Sequence, residues 1–182
     1  MTDRVEHPRQ ACTASAAVTY HDHSRKGTIM TTTIEADPAL PIIRMTRDFD
    51  APPERLMQAH TDPDLYAEWV GPDGMETRIL EWDARDGGAW RYVSSRDGEQ
   101  FGFHGCFHRV DDDTIVQTFT WEGMPDEVSL ETVWFEDLGD GHTRLHAKSL
   151  LESFEGRDAM LNSDMETGIE EGYAKLDAML AE

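Results

Sequence analysis

Two periods of apolar residues alternate along the chain from Ile42 onward. The run Ile42-Ile43-Arg44-Met45-Thr46-Arg47-Asp48-Phe49 reads as a strand and stops at the breaker group Asp50-Ala51-Pro52-Pro53. A short helix is predicted there. Pro53 suits a first helical position, Glu54 complements the helix dipole, and Leu56 and Ala59 form a narrow apolar side. Asp62-Pro63-Asp64 repeats the start signal, with Leu65 and Trp69 four apart on one face and Gly71-Pro72 ending this second helix. Strand-like runs follow over 75–84, 89–95, 100–110, 114–121, 127–138 and 142–151. Asp86-Gly87-Gly88, Asp97-Gly98 and Gly139-Asp140-Gly141 place glycine where tight hairpins need positive φ, and connections this short leave no room for crossover helices. The spacing predicts an antiparallel meander. From about Arg157 to Ala181 the period becomes helical, with Met165, Ile169, Tyr173, Leu176 and Leu180 on one side.

Alternation sorts the faces of the strands. Phe101, Phe103 and Phe107 point one way and His104, Cys106 and His108 the other; Ile115, Phe119 and Trp121 likewise oppose Thr114, Thr118 and Thr120. The run 127–138 leaves its register open, because Leu130 and Trp134 have one parity and Val133 and Phe135 the other. Gly168 and Gly172 interrupt the last helix at about 1 kcal/mol each relative to alanine, so a close approach to the sheet, or a space left beside it, has to offset them. A curved sheet gripping a long helix cannot close along its whole length. Trp69, at the end of the second helix, is expected to line or seal the resulting gap.

Charge then narrows the partners. Lys+Arg number 16 against 37 Asp+Glu, a formal net charge of -21, which repels phosphate backbones and anionic membrane surfaces. No apolar run approaches the roughly 20 residues of a spanning helix. Neither nucleic acid nor membrane is therefore expected as a partner. Cys12 and Cys106 are too few for a disulfide framework and fit a reducing cytosol. Residues 1–37 read as a disordered leader without a secretory core, and 38–182 as one domain. The leader histidines His7, His21 and His23 lack fixed geometry for a metal, and the composition change at Thr31 suggests Met30 as a start.

Several stretches together carry a family resemblance: Trp69-Val70-Gly71-Pro72, Gly87-Gly88-Ala89-Trp90-Arg91, Phe119-Thr120-Trp121-Glu122-Gly123, Thr132-Val133-Trp134-Phe135-Glu136, and Met165-Glu166-Thr167-Gly168 with Glu170-Glu171-Gly172. In that order and spacing, over about Ile42 to Leu180, the chain resembles the START-like SRPBCC superfamily. Within it, the similarity is to the branch named after the C-terminal domain of the activator of the Hsp-ninety chaperone ATPase. The resemblance implies an α+β helix-grip fold, with a curved antiparallel sheet wrapped around a long C-terminal helix and two short helices after the first strand. It also implies a deep apolar cavity. Trp69, Trp90, Phe101, Phe103, Phe119, Trp121, Met165, Ile169 and Tyr173 are then the residues expected to line it. The preferred reading is a module that encloses a small apolar molecule and uses no cofactor. Alternatives are an enzyme of cyclase, dehydratase or hydrolase type using the same cavity, and an interaction protein whose partner is a chaperone. In the eukaryotic activator another domain comes first, and the leader here is too short and polar to replace it.

Motifs for specific chemistry are sparse. His104-x-Cys106-x-His108 places three metal-type ligands on one strand face, but alternate residues stand roughly 7 Å apart, too far to close round one ion without a bend. No metal is expected. Asp111-Asp112-Asp113 reads as a polar turn, and Glu170-Glu171 as a solvated helix side, while Glu122 suits either a loop or a cavity rim. The catalytic residues of the enzyme alternative stay unknown: no nucleophile, base and orienting group assemble from spacing, and neither a Gly-x-Ser-x-Gly elbow nor a phosphate-cradling loop occurs.

Overall fold

A computed structural model describes residues 31–182. Most of the expected leader, with His7, Cys12, His21, His23 and Met30, lies outside the described residues. The elements in chain order are β1 (Thr33–Ala36), β2 (Ile42–Phe49), α1 (Pro53–Thr61), α2 (Pro63–Trp69), β3 (Glu76–Trp82), β4 (Ala89–Arg96), β5 (Glu99–Val110), β6 (Thr114–Trp121), β7 (Val128–Gly139), β8 (His142–Leu150), α3 (Phe154–Leu161) and α4 (Met165–Leu180). All strands join one antiparallel sheet in the order β1-β2-β8-β7-β6-β5-β4-β3. The meander β3 to β8 is as the turn spacing predicts, and β2 returns to pair with β8 along its full length. The sheet curves without closing, and the architecture is the α+β helix-grip arrangement.

Local chemistry sets the element ends. The Asp62 carboxylate accepts from the backbone N–H of Asp64 at 2.9 Å and Leu65 at 3.3 Å, which caps α2 behind Pro63. Asp97 and Gly98, with φ of 55° and 86°, make the two-residue β4–β5 hairpin.

Three expectations need correction. Thr33–Ala36, placed in the leader, form β1 against β2 and make an edge of the sheet. The helix predicted over 157–181 is two helices: Asp164 adopts a left-handed φ of 61°, so α3 ends at Leu161 and the periodic stretch starts afresh at Met165. Thr120, expected on the polar face, is buried.

The open register of β7 resolves as well. Ser129, Glu131, Val133 and Phe135 point to the concave side, opposite Ser149, Ala147 and Leu145 of β8. Trp134 points to the convex side, where its indole stacks on His146 at 4.7 Å and 7°. That outer-face stack is why both parities of the strand carry large apolar residues.

Two apolar cores hold the helices on the concave face. One gathers Phe49, Leu56, Trp69, Phe135, Leu145, Tyr173, Leu176 and Leu180; the other gathers Trp90, Tyr92, Phe107 and Ile115. Met57, Tyr66 and Val70 pack against both. The C-terminal half of α4 is thus anchored in the first core. Its N-terminal half meets that core only through the partly buried Ile169, and there space remains.

Candidate functional site

The space between sheet and helices includes two adjoining cavities of about 700 and about 310 Å³. They share Val70, Gly71, Pro72, Tyr92, Phe119 and Met160 in their walls. α4 lines only the smaller one, through Met165, Gly168, Ile169, Gly172 and Tyr173. The larger is roofed by α3 and the turn after it, through Glu155, Gly156, Ala159, Met160 and Ser163. The break at Asp164 is what lets α3 swing out over the strands as a separate roof.

The aromatic and aliphatic residues singled out by sequence divide between these spaces. Phe101, Phe103 and Trp121 line the larger cavity; Trp69, Met165, Ile169 and Tyr173 line the smaller; Phe119 lines both. Trp90 lines neither. It faces Gly105 across β4 and β5, where a Cβ would stand 2.7 Å from the indole, so the ring lies over the glycine and fills the second core. Trp121 is 38% exposed and stands at the mouth.

The end of α2 is built tightly. Trp69 donates its indole N–H to the Ala59 carbonyl at 2.9 Å and stacks on Tyr173 at 6.0 Å between centroids. Gly172 permits this contact: a Cβ there would lie 3.1 Å from the Trp69 carbonyl oxygen and 3.4 Å from that of Gly71. The close approach anticipated for the helix glycines is therefore to the Trp69–Gly71 corner rather than to the sheet. Gly168 is looser, with only Pro72 Cδ near, at 3.8 Å.

Polar groups facing the smaller cavity are those that sequence reasoning missed. Glu131 stands mid-sheet on β7, directly between Gln117 of β6 and Ser149 of β8. The hydroxyls of Ser129 and Ser149 donate to its two carboxylate oxygens. Burial raises its pKa, outweighing both hydrogen bonds. His60 of α1 donates Nδ1–H to the Leu56 carbonyl at 2.8 Å and packs 4.8 Å from the Trp69 ring and 5.0 Å from Phe135. Burial pulls its pKa down to about 4, so the imidazole is neutral at pH 7. Burial also pushes the Tyr66 phenol up to about 12, and those of Tyr92 and Tyr173 upward too. The signal for Glu131 was its parity with Val133 and Phe135, which became readable only once cross-strand register was known.

Other candidate groups sit elsewhere. His104, Cys106 and His108 are exposed on the convex face. Glu122 also points outward, held in a two-bond pair by Arg91 at 2.6 and 3.0 Å, which lowers its pKa. Glu170 binds Arg47 at 2.8 Å, and Glu171 accepts from the Asp73 N–H at 2.8 Å. Among the described residues no group of three or more His, Cys, Asp or Glu is gathered as a metal site, and no helix is long and apolar enough to cross a membrane.

A curved antiparallel sheet of this order, with a final helix against its concave face and apolar space left between, defines a START-like helix-grip protein. The chain belongs to the family described as "Activator of Hsp90 ATPase homolog 1-like protein", which it matches over residues 50–181. Solved structures agree. A protein of Rhodobacter sphaeroides is 27% identical with a TM-score of 0.73, covering 82% of this chain and 97% of its own. One of Chromobacterium violaceum is also 27% identical with a TM-score of 0.66, over 76% and 96% of the two chains. An Arthrobacter aurescens protein, 24% identical over 81% and 90% with a TM-score of 0.74, shares the fold. Among curated proteins none matches the chain in sequence.

Proposed function

We propose that the protein binds a small hydrophobic ligand in the joined cavity between the concave face of the sheet and helices α3 and α4. The observation that carries this reading is the unfilled apolar space itself, about 700 and about 310 Å³ walled by Phe101, Phe103, Phe119, Tyr92, Trp69 and Met160. Such volumes fall within the roughly 300–1,000 Å³ of small-molecule sites. Burial of a ligand there yields about 25 cal/mol per Å² of apolar surface. Native mass spectrometry of protein purified from its own host is expected to reveal a reproducible small apolar adduct. Met160→Trp, which adds bulk to the wall common to both cavities, should lose that adduct and bind an environment-sensitive apolar dye at least tenfold more weakly. An adduct-free protein that also ignores the dye ends the proposal.

One observation favours a second reading, an enzyme of cyclase, dehydratase or hydrolase type. Glu131 and the neutral His60 line the same cavity, so an acid and a base stand at the wall of an apolar chamber. Turnover of the copurified molecule, lost in both Glu131→Gln and His60→Phe, distinguishes this reading from binding alone.

A further inference from the structure

Resting on the ligand-binding reading, the charge of the cavity wall indicates what one end of the ligand carries. Among the described residues, no lysine or arginine lines either cavity, whereas Glu131, Glu127 and Glu155 do. Glu127 and Glu155 are exposed and have access to water. Glu131 stands in the middle of the sheet, facing His60 from α1, Tyr66 from α2, Tyr173 from α4, Tyr92 from β4 and Gln117 from β6. All five are uncharged at pH 7. The Ser129 and Ser149 hydroxyls satisfy part of its hydrogen-bonding capacity but bring no positive charge. The buried cation Arg47 is engaged by Glu170 at 2.8 Å and Asp177 at 2.7 Å. Hydrogen bonds compensate a carboxylate largely removed from water only in part, and what remains falls to a proton or to a cation brought from outside.

We infer that the cavity takes an apolar molecule bearing a basic nitrogen, whose ammonium group pairs with the Glu131 carboxylate. The rings of Tyr66, Trp69, Tyr92 and Phe119 line the same space, of the residue types that receive cations as well as hydrocarbon. The serine pair holds both carboxylate oxygens in place, so the acceptor is already oriented before the ligand arrives. The formal net charge of -21 draws cations toward the whole molecule, but it does so without regard to what enters the cavity, and one neutralised carboxyl hardly changes it.

Titration calorimetry with decylamine, decanol and methyl octyl ketone, on wild type and on Glu131→Gln, tests this. Wild type is expected to bind decylamine at least tenfold more tightly than the two neutral probes. Glu131→Gln should reduce that preference to twofold or less, and a single cooperative thermal unfolding transition shows that the variant is folded. Equal affinity for amine and alcohol, or a preference that survives in Glu131→Gln, overturns the inference and leaves the cavity reading standing. Tightest binding of the ketone, lost in the variant, overturns it too, because Glu131 then acts as a neutral hydrogen-bond donor. Failure of all three probes to bind wild type counts instead against the ligand-binding reading itself.

Discussion

His60 is a side chain whose cost to the fold can be measured by acid. Its imidazole is enclosed by Trp69 and Phe135, and its pKa falls from an ordinary 6.5 to about 4. The unfolded chain takes up this proton near 6.5 and the folded chain only near 4, so unfolding consumes a proton between them. Stability therefore falls as pH drops through that window, by up to about 3 kcal/mol from this group. Glu131 and Asp177 oppose the trend, since burial raises both and acid relieves their charge. Comparing wild type with His60→Phe by denaturant unfolding at several pH values isolates the histidine. The variant should lose about 3 kcal/mol less than wild type between pH 7 and pH 4, and parallel curves would rule out the buried-imidazole account. Glu131→Gln should be at least as stable as wild type at pH 7, because it removes a desolvated charge.

At the scale of elements, the two glycines of α4 look alike in sequence and differ in surroundings. Gly168 has room for a methyl group, with Pro72 Cδ at ordinary contact distance, 3.8 Å. Gly168→Ala is expected to stabilise the protein by about 1 kcal/mol, the helix propensity recovered. Gly172 faces the Trp69 carbonyl oxygen at 3.1 Å, so alanine there must push α4 away from the end of α2 and disturb the stack of Trp69 on Tyr173. Gly172→Ala should show no such gain and should change tryptophan fluorescence. Thermal unfolding of the two variants side by side checks the contrast. The same comparison explains what was legible: the period of α4 marked the helix and the oddity of its glycines, but not what approached them.

For the molecule as a whole, the formal net charge of -21 means that mutual repulsion acts on every compact form. Its surface pairs, such as Arg144 with Asp48 at 2.7 Å and Arg85 with Asp83 at 2.8 Å, each contribute at most about 1 kcal/mol. Screening should therefore remove more repulsion than attraction. The melting temperature is expected to rise as salt is increased from low ionic strength to about 0.5 M, where the Debye length is only a few ångströms. A falling melting temperature would show that the ion pairs dominate. The architecture explains why space survives in so small a protein: α4 is anchored in one core by Tyr173, Leu176 and Leu180, while Trp90, Tyr92 and Phe107 close a second core some strands away. Helices bridging the two cannot fill everything between.

Local physics was enough for most of the elements. Turn chemistry at Asp97-Gly98 and Gly139-Asp140-Gly141, the proline starts of α1 and α2, and two clean hydrophobic periods determine strands, hairpins and helices, because each depends on neighbours within a few residues. Tertiary structure alone decided which face of β7 is inner, and with it that Glu131 meets Ser149 and Gln117 inside a cavity. It also decided that α3 roofs the larger space and that Trp90 leans on Gly105. These depend on cross-strand register and on where a helix breaks, quantities set by packing between residues far apart in the chain. Alternation along one strand is the same in either register of its partner, so no local pattern could have distinguished them.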